Sequence, residues 1–165
     1  MASITFNQDS VTLLGNEVKV GDTAPNFILL SNDLKEVTLD DYQGKVKLIA
    51  AVPSVDTGVC AEETIRFNKE ADTLPNVQVL TISMDLPFAQ GRWCAANGVK
   101  QLDTLSDHRN ADFGKNYGVL IEELRLLARA IFVVDANNKV TYVEYVSEAT
   151  NHPDYDKALE AAKNA

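Results

Sequence analysis

Two apolar runs, Lys45–Val52 (KVKLIAAV) and Val77–Ser83 (VQVLTIS), constrain this chain more than any other feature. Each has the length of one strand, and neither alternates apolar with polar as a strand with one wet face does. Strands covered on both faces belong in the middle of a sheet that carries helices on either side. Between the two runs, from Thr57 onward, Phe67, Ala71 and Leu74 recur at helical spacing as a buried stripe. The segment therefore reads strand, helix, strand.

The flanking sequence fills in the rest. Ser3–Phe6 and Val11–Leu14 read as an N-terminal hairpin around the polar turn Asn7–Ser10. Asn26–Leu30 and Glu36–Leu39 are short extended pieces, and Asp40–Tyr42 is a brief helical turn stopped by Gly44. Phe88–Ala96 predicts a helix closed by Asn97-Gly98, Gln101–Leu105 a short strand, and Ala111–Tyr117 a short helix ending at Gly118. Ala130–Val134 and Val140–Val146 flank a hairpin turn, Asp135–Lys139. A last helix spans Asp154–Ala162, with Pro153 at its start. No repeat, low-complexity run or linker divides the 165 residues, so residues 1–165 read as one domain with residues 1–20 as a hairpin extension. The layout is α/β: a thioredoxin-like fold, its mixed central sheet flanked by helices.

Charge narrows the partners. The formal net charge is -9 and the basic residues form no stripe, which argues against a phosphate backbone as ligand. No apolar run approaches the ~20 residues that span a bilayer. Met1–Ser10 has neither a basic nor an apolar leader pattern. The expected location is the cytoplasm, with no membrane or nucleic-acid partner. There, two cysteines are seldom a structural bridge, because the reducing pool keeps thiols open.

The chemistry concentrates at Pro53-Ser54-Val55-Asp56-Thr57-Gly58-Val59-Cys60, where a buried strand passes into a helix. Ligands bind at such strand ends in open α/β sheets. A helix start offers free N–H groups and the positive end of the macrodipole, and both bias a thiol in the first turn toward thiolate, the form that attacks. Thr57, one turn before Cys60, brings a hydroxyl to the same pocket, able to donate to the sulfur or to orient a bound substrate. Pro53 lacks an N–H and carries a rigid ring, suited to shielding the sulfur from water. Glu62 and Glu63, read here as first-turn residues, suit the dipole but oppose a thiolate, so a cation is needed nearby. Spacing alone does not place one.

The pattern P-x-x-x-T-x-x-C, met by Pro53, Thr57 and Cys60, resembles the peroxiredoxin active-site motif. PSVDTGVC, SMDLPFAQGRWC (Ser83–Cys94), RNADFGKNYGV (Arg109–Val119) and LARAIFVVDANN (Leu127–Asn138) are similar to the bacterial thiol peroxidase branch of that family, and the likeness runs nearly end to end. It implies Cys60 as peroxidatic cysteine, Cys94 as resolving cysteine that closes a disulfide with it, and Arg129 as the missing cation. It further implies a hydroperoxide substrate, thioredoxin as reductant, a homodimer and no cofactor. The loop Glu122–Leu127, ahead of Arg129, matches less closely.

Other readings compete at these residues. Cysteine is often buried simply as a small hydrophobe, and Trp93-Cys94-Ala95-Ala96 also reads as an ordinary helix face. An electron carrier on the same fold places its cysteines in C-x-x-C, whereas here 34 residues separate them and Glu63 stands three after Cys60. A redox sensor using the same two thiols would oxidise once without turnover. His108 and His152 have no ligand spacing with the cysteines, so no metal is expected. Cys60 and Cys94 belong to different helices, and bridged Cα atoms must approach within about 7 Å. The expectation is that the folded reduced state holds them farther apart and that local unfolding precedes bonding.

Overall fold

The computed structural model describes residues 3–165. In chain order the strands are β1 (Ile4–Phe6), β2 (Asp9–Val11), β3 (Leu13–Leu14), β4 (Ile28–Leu30) and β5 (Glu36–Thr38), then a 3-10 turn at Leu39–Tyr42. Next come β6 (Val46–Ala51), α1 (Gly58–Ala71), β7 (Val77–Ser83), α2 (Pro87–Asn97), β8 (Asp103–Ser106) and α3 (Asp112–Asn116). The chain ends with β9 (Leu120–Ile121), β10 (Leu126–Leu127), β11 (Ala130–Val134), β12 (Val140–Tyr145) and α4 (Tyr155–Asn164). Among the described residues, no helix is long and apolar enough to cross a membrane.

Seven strands form the main sheet in the order β12-β11-β6-β7-β8-β4-β5. β6, β7 and β8 are parallel, and every other pairing is antiparallel. Strand pleating divides the core between two faces. Ile49, Ala51, Leu80, Ile82, Ala130 and Phe132 point to one, where α3 supplies Phe113 and the segments beside it supply Ile4, Phe27 and Tyr117. Leu48, Ala50, Val79, Ile131 and Val133 point to the other, against Phe67 of α1, Trp93 and Cys94 of α2, and Ala158 and Leu159 of α4. Because β6 and β11 meet layers on both sides, they are buried throughout. That is why their sequences lack alternation.

The thioredoxin-like arrangement expected from the sequence is therefore present, and so is the N-terminal hairpin. The hairpin differs in detail. Its turn is two residues, Asn7 and Gln8, both at positive φ, so Asp9 and Ser10 join the ladder opposite Phe6 and Thr5. β2 is largely exposed, and nothing there penalises polar residues. Leu13–Leu14 leaves the hairpin to pair with β9 in a separate sheet, β10-β9-β3. These two-residue strands are too short to show periodicity.

Helix boundaries follow local signals. Gly98 adopts the left-handed conformation that closes α2, Pro87 opens that helix, and Asp154 caps α4 by accepting from the Lys157 N–H.

Candidate active site

Ladder register assembles the site. Ala130 of β11 lies opposite Ala51 of β6, so Arg129 emerges at the sheet end where the chain passes through Val52 and Pro53 into α1. Thr57 occupies the N-cap of α1, and Cys60 follows in the first turn. The two segments are almost seventy residues apart in sequence and are brought together by β6–β11 pairing.

The guanidinium of Arg129 has three partners. Nη2 donates to Cys60 Sγ at 3.0 Å, Nη1 to Glu63 Oε1 at 3.0 Å, and Nε to the Ala149 carbonyl at 3.0 Å. Arg129 is 1% exposed, and Cys60 and Glu63 are fully buried. Burial opposes the charge of Arg129, but the Glu63 carboxylate and the Cys60 sulfur facing it together raise its pKa. Burial pushes the Glu63 carboxyl up to about 7, with Arg129 pulling it back down. Among the described residues its Oε2 has no hydrogen-bond partner. The guanidinium's remaining N–H groups are directed by a rigid planar fork, a geometry that a lysine could not reproduce.

Thr57 does not bond the sulfur. Its hydroxyl donates to the Ser54 carbonyl at 3.1 Å and makes no capping bond, which leaves the first-turn N–H groups of α1 without a side-chain acceptor. Thr57, Gly58 and Val59 line a cavity of about 420 Å³ with Pro53 and Arg129. Phe6 and Asn7 of the hairpin and Ala149 and Thr150 close its other side. Cys60 lies behind this wall, in contact with the cavity's arginine. Positive charge and an apolar enclosure thus meet at one sulfur, an arrangement that favours negative charge developing beside it.

Cys94 lies elsewhere. Both thiols are free, and Cys94 lines a different cavity, of about 270 Å³, with Asn32, Tyr42, Asp103 and Thr104. Its sulfur is 3.5 Å from Thr104 Oγ1, which itself donates to Asn32 Oδ1 at 3.1 Å, so the thiol is left as the donor. Burial raises the Cys94 pKa.

The redoxin profile matches residues 19–159. A thiol peroxidase of Halalkalibacterium halodurans is 70% identical, covering 100% of this chain and 99% of the relative. The chain belongs to the redoxin family. A thiol peroxidase of Bacillus subtilis is 61% identical over 99% of this chain and 98% of its own. Among solved structures, a peroxiredoxin-like protein from Aquifex aeolicus superposes with TM-score 0.93 at 39% identity, covering 99% of this chain and 97% of that one. A thiol peroxidase from Chromobacterium violaceum does so with TM-score 0.88 at 25% identity, covering 99% and 96%. With full-length relatives of this kind, this redoxin is a peroxidase of the peroxiredoxin type.

Of the five residues singled out in the sequence, the fold of this redoxin brings Pro53, Thr57 and Arg129 to one cavity, sets Cys60 behind it against Arg129, and holds Cys94 at another. One sequence reading needs correction. Because α1 begins at Gly58, Glu62 and Glu63 lie beyond its first turn and cannot serve its dipole. Glu62 instead pairs with His152 at 3.3 Å on the surface, while Glu63 turns inward to hold Arg129. Its spacing of three from Cys60, which puts both side chains on one helix face, was the available signal. The parts played by Phe6, Asn7 and the Ala149 carbonyl depend on long-range packing and leave no local trace. Among the described residues, no cluster of three or more His, Cys, Asp or Glu side chains could hold a metal ion.

Proposed function

We propose that Cys60 is the peroxidatic nucleophile and Cys94 the resolving thiol of a thioredoxin-dependent, homodimeric cytoplasmic peroxidase acting as a single domain. The observation that carries this reading is the 3.0 Å contact between Arg129 Nη2 and Cys60 Sγ in a fully buried setting. A guanidinium there stabilises both the attacking thiolate and the negative charge gathering on the peroxide oxygens. The Cys60 sulfur attacks one oxygen in line. The S–O bond forms as the O–O bond breaks, and the leaving oxygen takes a proton to depart as water or alcohol. Thr57 and the open N–H groups of the first turn help to orient the peroxide, and Pro53 keeps bulk water off the sulfur. The apolar side of the cavity, with Phe6, Pro53 and Val59, accommodates the carbon chain of an organic hydroperoxide as well as hydrogen peroxide.

Resolution follows through a disulfide with Cys94 before irreversible over-oxidation, and a dithiol reductant reopens it. Cys94 is docked as a hydrogen-bonded thiol in its own cavity, which supports a segmental opening before it attacks.

Stopped-flow peroxide reduction tests the assignment. Cys60→Ser is expected to abolish the reaction, and Cys94→Ser to retain one fast oxidation event without cycling on thioredoxin. Peroxide reactivity undiminished in Cys60→Ser overturns it.

A further inference from the structure

Asp85 lies between the two cysteine-bearing segments. β6 and β7 run parallel with Ala51 opposite Ile82, so the chain leaving β7 through Asp85 passes beside Ser54 and Val55, just ahead of α1. Three donors outside its own backbone converge on the Asp85 carboxylate: the Ser54 hydroxyl at 2.7 Å, the Val55 N–H at 2.9 Å and the Ser83 hydroxyl at 2.7 Å. On the first side, Ser54 passes the tie onward, its carbonyl accepting from both the N–H and the hydroxyl of Thr57. On the second, Ser83 Oγ accepts from Gln90 Nε2 at 3.0 Å, and the same amide donates to the Leu105 carbonyl at 2.9 Å. Gln90 is fully buried and sits one turn before Cys94 on α2. The Ser106 hydroxyl holds the Asp85 carbonyl as well.

A continuous hydrogen-bonded chain therefore runs from the N-cap of the Cys60 helix to the first turn of the Cys94 helix, and one carboxylate is its centre. If the first turn of α1 opens, Ser54 and Val55 depart and the carboxylate keeps only Ser83 of those three donors. A part-buried anion stripped of its donors is costly, which favours release of the α2 start at the same moment.

We propose that Asp85 is a positioning residue that couples the two openings, so that Cys60 and Cys94 are released toward each other in one event. The inference rests on the Cys60–Cys94 cycle proposed above. The step it serves is balanced: Cys94 gives up its proton, its sulfur attacks the Cys60 sulfenic sulfur, the S–S bond forms, the S–O bond breaks, and hydroxide leaves with a proton as water. While closed, the network favours peroxide attack. Once open, it favours the disulfide.

Asp85→Asn keeps the shape but removes the charge and turns one accepting oxygen into a donating amide, so the charge-assisted ties become weaker neutral ones and a serine hydroxyl facing the amide must reverse to accept. Ser54→Ala removes one tie to Asp85, together with the bond that the Ser54 hydroxyl accepts from the Asp56 N–H at 3.1 Å. Native-state hydrogen exchange of the reduced wild type is expected to give one shared opening free energy for residues 54–60 and 88–94, and Asp85→Asn is expected to lower protection of both. On rapid mixing with a hydroperoxide, Asp85→Asn should oxidise at Cys60 several-fold more slowly yet close the disulfide several-fold faster, with Ser54→Ala showing the same opposed shifts at smaller size. Leu159→Ala, which loosens the core under α4, serves as the purely structural control and should not split the two rates in this way. Separate opening free energies in the wild type, equal disulfide closure in all variants, or the same split in Leu159→Ala each overturn the coupling. No Cys60–Cys94 disulfide in peroxide-treated wild type overturns instead the cycle on which the coupling rests, and the exchange data still judge the network.

Discussion

Arg129 keeps its charge where burial alone would expel it, because Glu63 and Cys60 are buried with it. Removing one member of such a set strands the others. Arg129→Ala is expected to slow Cys60 oxidation by about 100-fold, the usual cost of losing a preorganised charge-stabilising donor, and to destabilise the fold by about 3–5 kcal/mol. The two effects separate with pH. With its guanidinium gone, the Glu63 carboxyl is held even further above its unfolded value, so the folded state binds the proton more tightly and stability falls as pH rises from about 5 to 8. Adding Glu63→Gln should remove that slope without restoring the rate, and denaturant titrations across this range check it. How much of the site was legible divides along the same lines. Cys60, Thr57 and Pro53 declare themselves through local spacing at a strand-to-helix junction. Arg129 was reachable only through family resemblance, since its neighbour Ala130 had first to find Ala51 across the sheet.

At the scale of elements, the hairpin that walls the cavity is held by two backbone bonds, Thr5 N–H to the Ser147 carbonyl and Ala149 N–H to the Thr5 carbonyl, and by one carboxylate. Glu148 accepts from the Thr150 hydroxyl and N–H, from the Gln8 and Asn7 N–H groups, and from the Thr5 hydroxyl. These bonds, those from Thr150 foremost, hold its pKa down to about 2. A depressed carboxyl contributes fully above its unfolded value near 4.5, and the contribution is lost as pH falls through about 2. Amide protection across β1 and β2, corrected for intrinsic exchange, should therefore fall over that acidic window in the wild type. Glu148→Gln should show the loss already at neutral pH, and unchanged protection would contradict the clamp. The element map explains what sequence reading achieves. β6, β7, β11 and α1 carry enough periodic or unbroken apolar text to be read singly. β3, β9 and β10 hold two residues each and exist only because they find one another.

For the whole molecule, buried carboxyls set the pH response. Asp107 is 2% exposed, accepts from the Phe113 and Gly114 N–H groups, and has its pKa pushed up to about 6 by burial, those bonds opposing. A raised carboxyl lends most stability when protonated, so its contribution falls as pH climbs from about 4 to 6, by roughly 2–3 kcal/mol for a shift of this size. Repulsion among surface charges of a chain with net charge -9 acts in the same direction. Salt distinguishes them, since it screens surface repulsion far more than a buried group. Thermal unfolding in high salt should keep a slope in the wild type and show a shallower one in Asp107→Asn, the remainder belonging to the raised Glu63 carboxyl. A slope that vanishes with salt alone would assign it to the surface.

The β6–β11 ladder has one more consequence. Side chains alternate between faces along a strand, so a slip of one residue would swing the guanidinium to the far side of the sheet while leaving every catalytic letter in place. Inserting a single residue within Ala130–Val134 should thus disarm the enzyme as thoroughly as deleting its arginine. The chemistry is written in alignment as much as in composition.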